Sequence, residues 1–244
     1  MRYVGGKFKI AKPISEIILS EINDENTFIS LFCGSCAIES RICKQYNFNN
    51  IILNDIHPYL IAMYKDYQNG RIFPENISKE EYYYIKAHQD EDPALTGFVG
   101  FGCSFGGKWW GGYGRNIKSK RNLATETIHS LNRDLPFLLN ANFTNEDYRN
   151  IIIPDNSIIY CDPPYENTTG YRSLKKFNHE EFWEYMRQIS KNNKVFISEQ
   201  NAPDDFIPIW SKEIKRHIDV NLDNRFKVTE KLFVYKNGKV NYDK

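Results

Sequence analysis

The chain has 244 residues, with 32 Lys and Arg against 31 Asp and Glu and a formal net charge of +1; that length suits one sizeable α/β domain with a small insertion and argues against separate large domains. A balance this even excludes attraction of a polyanion by overall charge, so such a partner must meet a local patch. No apolar stretch approaches the roughly 20 residues of a membrane helix, the opening Met1-Arg2-Tyr3-Val4-Gly5-Gly6-Lys7 lacks a signal-peptide core, and the five cysteines are unevenly spaced, so a soluble, cytoplasmic protein without a disulfide framework or membrane contact is expected.

Ile14, Ile17, Ile18 and Ile22 predict a helix over Pro13 to Ile22, followed by a strand over Phe28 to Phe32. Cys36 to Tyr46 reads as a helix, Ile51 to Leu53 as a strand and Tyr59 to Tyr67 as a helix, an alternation that predicts a parallel sheet covered by helices. Cys33 and Cys36 have no second Cys-x-x-Cys and no His pair at ligand spacing. They read as small residues in a strand-to-helix turn, and no metal is expected.

Between Pro74 and Asn140 the alternation lapses, which predicts an insertion. Its centre, Gly97 to Arg121, is dense in glycine and aromatic residues and predicts an adaptable loop. Lys108, Arg115, Lys118, Lys120 and Arg121 fall within it beside Trp109, and no Asp or Glu occurs between Asp92 and Glu126. Cations for phosphates and rings for bases suit a nucleic-acid groove; a solvated basic loop whose aromatics cover the core fits the same residues. The pattern resumes with strands at Ala141 to Phe143, Ile158 to Cys161 and Lys194 to Ser198, a helix over His179 to Lys191, and two closing β-runs at His217 to Leu222 and Lys231 to Tyr235. The expected fold is α/β: a Rossmann-like, mostly parallel sheet with a C-terminal antiparallel hairpin. Residues 1–75 form its first half, 76–140 a small inserted subdomain and 141–244 its second half.

Asp162-Pro163-Pro164-Tyr165 closes the apolar run Ser157 to Cys161, where the carboxyl end of a parallel strand opens into a ligand crevice. An exocyclic amine on a nucleobase is a poor nucleophile, and a catalyst must accept hydrogen bonds from its N–H groups as the lone pair becomes available. Asp162 offers one acceptor, and the Pro163 carbonyl, stiffened by its own ring and by Pro164, offers another. Tyr165 supplies a flat face, worth roughly 1–3 kcal/mol of stacking. Taken alone, the tetrapeptide also fits an Asp-Pro turn with a rim aromatic. The tetrapeptide points to methyl transfer onto a nucleobase amine, and the donor this pattern implies is S-adenosylmethionine. Phe32-Cys33-Gly34 sits at a strand-to-helix turn, and Asp55 lies 55 − 34 = 21 positions beyond Gly34, close to the roughly 20 at which such folds place an acid on ribose hydroxyls. Asn54-Asp55 capping the next helix is the competing reading.

Arg2-Tyr3-Val4-Gly5-Gly6-Lys7, Phe32-x-Gly34, Asn54-Asp55-Ile56-His57-Pro58, Asp147-Tyr148 and Asp162-Pro163-Pro164-Tyr165 occur in this order, and together they resemble the DNA adenine methylase family of the alpha group. The resemblance implies an enzyme that moves a methyl group from S-adenosylmethionine to the 6-amino group of adenine in double-stranded DNA, leaving S-adenosylhomocysteine. It implies that Tyr3 and Lys7 contact the methionine end of the donor, that Phe32 and Gly34 pass close to it, that Asp55 holds its ribose and that Asp147 and Tyr148 frame its adenine. Asp162 and the Pro163 carbonyl would bind the target amine, Tyr165 would stack on the flipped base, and the insertion would recognise the target. Ser30-Leu31 and Cys36 depart from the family's Glu-Pro and second glycine. A monomer or weak dimer is expected, and a companion restriction endonuclease is left open. Methyl transfer to adenine in RNA or to the cytosine amine, a protein-glutamine methyltransferase and a catalytically silent DNA-binding module are the alternatives.

Overall fold

A computed structural model describes residues 1, 3–114, 121–165, 177–217 and 225–240. Helix α1 (Ala11–Ser20) buries Ile14 and Ile18 and leads into β1 (Thr27–Ser30). Helix α2 (Glu39–Gln45), β2 (Asn50–Asn54) and α3 (Pro58–Gln68) complete the first half, with Pro58 in the first turn of α3, where its missing N–H costs nothing.

Residues 76–140, predicted as an insertion, carry helices on both sides of their centre. These are α4 (Lys79–Ala87), started by a Ser78–Glu81 capping box, then α5 (Pro93–Gly97), a π-helical turn over Phe98–Gly102, and α6 (Leu123–Asp134), capped by Asn122. The expected adaptable loop over Gly97 to Arg121 is corrected at its start, where Gly97 to Gly102 are helical; Arg115 to Lys120 lie outside the described residues. A Cβ on Gly97 would lie 2.0 Å from the Tyr59 carbonyl oxygen, on Gly100 2.3 Å from the Trp109 ring, and on Gly102 2.6 Å from the Thr127 side chain. These glycines are selected by close packing. Phe98, Val99 and Phe101 are fully buried in the same cluster as Phe28 and Leu53 of the sheet.

Strands β3 (Asn142–Thr144), β4 (Ser157–Cys161) and β5 (Lys194–Glu199) follow, with α7 (His179–Ile189) between the last two. Every residue of β4 is buried, as expected for a strand covered on both faces. The chain closes with β6 (Phe206–His217) and β7 (Arg225–Tyr235). The seven-stranded sheet has the order β3-β2-β1-β4-β5-β7-β6, parallel from β3 to β5 and antiparallel at β7 and β6. This is the Rossmann-like, mostly parallel sheet with an antiparallel C-terminal pair. The sixth strand lies earlier than the predicted His217 to Leu222, of which residues beyond His217 fall outside the described set. Pro208 disguised it in the sequence; proline is tolerated there because β6 is an edge strand, and the pairing with β7 slips between Pro208 and Trp210.

From β1 the chain winds through β2 and β3 to one side, and through β4 and β5 to the other. The crevice therefore opens where the carboxyl ends of adjacent β1 and β4 diverge, a topological switch point. Among the described residues, no helix is long and apolar enough to cross a membrane.

Candidate active site

The loops after β1, β2 and β4 meet at this edge, under an N-terminal strap formed by Tyr3 to Lys7. The tetrapeptide Asp162 to Tyr165 leaves β4 directly. Lys7 Nζ donates to Asp162 Oδ1 at 2.6 Å and Oδ2 at 2.8 Å, donates to the Gly5 carbonyl at 3.2 Å, and lies 4.6 Å from the centroid of the Tyr165 ring. The Lys7 side chain is 7% exposed and that of Asp162 is 21%. Such a pair is costly to break from one side, because one charge would remain partly desolvated. Within the tetrapeptide Pro164 is exposed and Asp162 partly so, while Pro163 and Tyr165 are buried. Burial, together with the charges of Asp162 and Glu230, pushes the Tyr165 phenol well above its ordinary value.

Gly34 has φ +45°, and a Cβ there would lie 3.2 Å from the Tyr3 ring, so the strap rests on this residue. Its carbonyl accepts from the Tyr64 hydroxyl at 2.7 Å, and its N–H donates to Asp55 Oδ2 at 3.0 Å. Asp55 Oδ1 accepts the His57 N–H at 2.9 Å. Asp55 thus joins the loops after β1 and β2; the competing reading as a cap is not met, since α3 has His57 at its N-cap and no side-chain cap bond. Burial pushes its carboxyl up to about 6, against the pull of the two N–H donors. Each oxygen retains acceptor capacity.

Phe32 lies 5.3 Å from Tyr148, 5.8 Å from Phe177 and 5.9 Å from Phe182, centroid to centroid. Asp147 accepts the Arg149 N–H at 3.0 Å, starting the turn that presents Tyr148, and its carboxylate also pairs with the Arg149 guanidinium at 2.8 Å. The structure thus groups Tyr3, Gly34 and Asp55, and separately Phe32 and Tyr148 beside Asp147. A carboxylate and flat apolar faces at a parallel-sheet edge suit the hydroxyls and purine of an adenosyl donor.

Three contributors, Glu39, Glu230 and Phe177, escaped the sequence reading, and Asn54, read only as part of a motif and a cap, has a different task. Asn54 Nδ2 donates to the Leu31 carbonyl at 3.1 Å and the Glu146 carbonyl at 3.0 Å, while its Oδ1 accepts from Thr144 at 2.9 Å, latching the ends of β1, β2 and β3 together. Glu39 accepts from Ser30 Oγ at 2.7 Å and from the Ile38 N–H at 3.1 Å beneath the β1 loop. Glu230 meets Tyr165, and Phe177 closes on Phe32. Only Asn54, adjacent to Asp55 at a strand end, carried a local signal.

Of the predicted nucleic-acid contacts, Lys108 is exposed. Trp109 is instead half-buried, 4.2 Å from His57 and 4.7 Å from Phe101, and stacked on Tyr59 at 5.6 Å. Arg121 is engaged by Glu126 at 2.8 and 2.7 Å. Arg115, Lys118 and Lys120 lie outside the described residues. The Val4 N–H donates to the Gly107 carbonyl at 3.3 Å, seating the insertion against the strap.

Among known proteins the chain has a distant curated relative and solved structures of low similarity. Over 89% of its length the chain is 21% identical to the Type II methyltransferase M.FokI of Planomicrobium okeanokoites, and it spans 38% of that longer protein. Among solved structures, a candidate RNA methyltransferase of Pyrococcus horikoshii is 10% identical with a TM-score of 0.44, over 92% of this chain and 82% of that one. The candidate methyltransferase yhhF of Escherichia coli is also 10% identical, with a TM-score of 0.38 over 96% of both chains. A model of the D12 class N6 adenine-specific DNA methyltransferases matches residues 3–96 and 107–224. With that match spanning the strap, the β1 loop and the tetrapeptide, the chain belongs to the D12 class of N6 adenine-specific DNA methyltransferases.

Proposed function

We propose that this chain transfers a methyl group from S-adenosylmethionine to the 6-amino group of adenine in double-stranded DNA, by in-line displacement on an extruded base. The observation that carries the reading is the tetrapeptide at the carboxyl end of β4, with the Asp162 carboxylate and the Tyr165 ring both met by the ammonium of Lys7. When bound, S-adenosylmethionine supplies a methyl carbon made electrophilic by its sulfonium. Asp55 accepts from the ribose hydroxyls, Tyr3 and Gly34 border the donor, and Phe32, Asp147 and Tyr148 frame its purine. Lys7 steadies Asp162 until the target arrives. Asp162 and the Pro163 carbonyl then accept the two N–H groups of the target amine, aligning its lone pair, while Tyr165 stacks on the ring. Positioning and exclusion of water supply most of the acceleration. No covalent enzyme intermediate is needed, and Cys161 is fully buried against Met186.

Residues 76–140 serve as the target-recognition insertion between the two catalytic halves, with Lys108 on a phosphate. Family membership supports the DNA substrate. A cytoplasmic location, a monomer or weak dimer, and a companion endonuclease belong to the same proposal; the type II designation of the M.FokI relative favours the last. The test is to incubate the chain with unmethylated DNA and donor and to map modified bases by sequencing. N6-methyladenine at a defined short site is expected from the unaltered chain, and its loss is expected in Asp162→Ala with donor affinity retained. Modified cytosine, or modification of RNA alone, would overturn the assignment.

A further inference from the structure

Glu230 breaks the pattern of its strand. Val228, Leu232 and Val234 occupy alternate positions of β7 and are buried, and Glu230 falls in the same phase at 1% exposure. A carboxylate so placed is costly unless it is hydrogen-bonded. The register shows why it stands there. β5 ends at Glu199, which pairs with Lys231, so Glu230 lies one residue past the end of β5 and pairs only outward, with Lys212 of β6. The overhang brings it to the carboxyl edge of the parallel strands, beside the tetrapeptide that follows β4. There the Tyr165 hydroxyl donates to Glu230 Oε2 at 2.5 Å.

We propose that Glu230 is the positioning residue for Tyr165, holding the phenol from β7 so that the ring keeps one plane for the incoming base. Tyr165 follows the two prolines with Lys7 Nζ 4.6 Å from its ring centroid, and an aromatic side chain held at its far end as well as at its backbone has fewer torsional states open to it. A charge-assisted bond at the far end removes that freedom before the base arrives. Lys7, against the ring, and Glu230, at its hydroxyl, then define the wall together. Glu230 does not reach the reacting atoms, and its effect passes through Tyr165. The inference rests on the reading of Tyr165 as the stacking face.

The test compares Glu230→Ala, Glu230→Gln, Tyr165→Phe and the Glu230→Ala/Tyr165→Phe double variant on duplex DNA carrying the mapped site. Donor affinity is measured by calorimetry beside kcat and KM. Glu230→Ala is expected to lower kcat by about 10- to 100-fold, the loss of one hydrogen bond to a charged group, with donor affinity unchanged. Glu230→Gln, which keeps an acceptor, should recover most of the rate, and the double variant should be no slower than either single variant. Multiplying losses in the double variant, or wild-type kcat in Glu230→Ala, would overturn the inference. Should Glu230→Ala fail to fold, Tyr165→Phe decides the matter, because wild-type kcat without the hydroxyl overturns it equally. If the unaltered chain methylates no adenine, the functional reading falls and takes this inference with it; methylation that ignores Glu230 removes the inference alone.

Discussion

Glu39→Gln is expected to make folding stability less sensitive to pH between about 4.5 and 7, where burial has displaced the Glu39 carboxyl. The side chain is 2% exposed. Desolvation raises its pKa from 4.5 to about 7; the charge of Asp162 adds to the rise, while the Ser30 hydroxyl and the Ile38 N–H oppose it. The folded value lies above the unfolded one, so the folded state binds the proton more tightly. Its contribution is therefore full below pH 4.5 and is lost as pH rises through about 7. At about 1.4 kcal/mol for each tenfold difference in proton affinity, ionising Glu39 costs the folded state about 3 kcal/mol. Gln cannot accept from both Ser30 and Ile38, which adds a constant offset of about 1 kcal/mol. The change with pH, not the offset, carries the argument. Urea unfolding of both proteins followed by circular dichroism, from about pH 4.5 to about pH 8, should show the wild type losing about 3 kcal/mol relative to the variant. Parallel curves would mean that the carboxylate ionises without cost, and would refute the burial argument for this residue.

Lys7→Met should lower stability by about 1–3 kcal/mol, because Asp162 loses an ammonium inside a largely buried pair; an unchanged thermal midpoint would show that the pair does not form. In Gly34→Ala, the φ of +45° and the Tyr3 ring 3.2 Å from the new Cβ should together cost about 1–2 kcal/mol and weaken donor binding, and wild-type affinity by calorimetry would contradict this. Lys108→Ala should weaken DNA binding across all sequences and reduce its salt slope by up to about 0.9, whereas Arg121→Ala should change it less, since Glu126 already holds that guanidinium. An unaltered slope in Lys108→Ala would remove that residue from the interface.

The sequence by itself determined the parallel half of the fold and the place of the tetrapeptide. Both follow from short-range causes: short apolar runs at Phe28, Ile51 and Ile158, helical spacing in α1 and α7, and two prolines that stiffen the backbone after a strand. Residues near Pro208 and Gly97 to Gly102 misled it, because a proline on an edge strand looks like a break and a glycine packed against a carbonyl looks like a hinge. Local sequence does not encode what will lie against it. The partners inside the candidate site were decided by tertiary structure alone. Lys7 and Asp162 stand 155 positions apart, and Tyr165 and Glu230 65. Each of these contacts exists only because the sheet brings the strap, the end of β4 and the overhang of β7 to one edge, where removal from water makes a few charged contacts strong enough to fix one another.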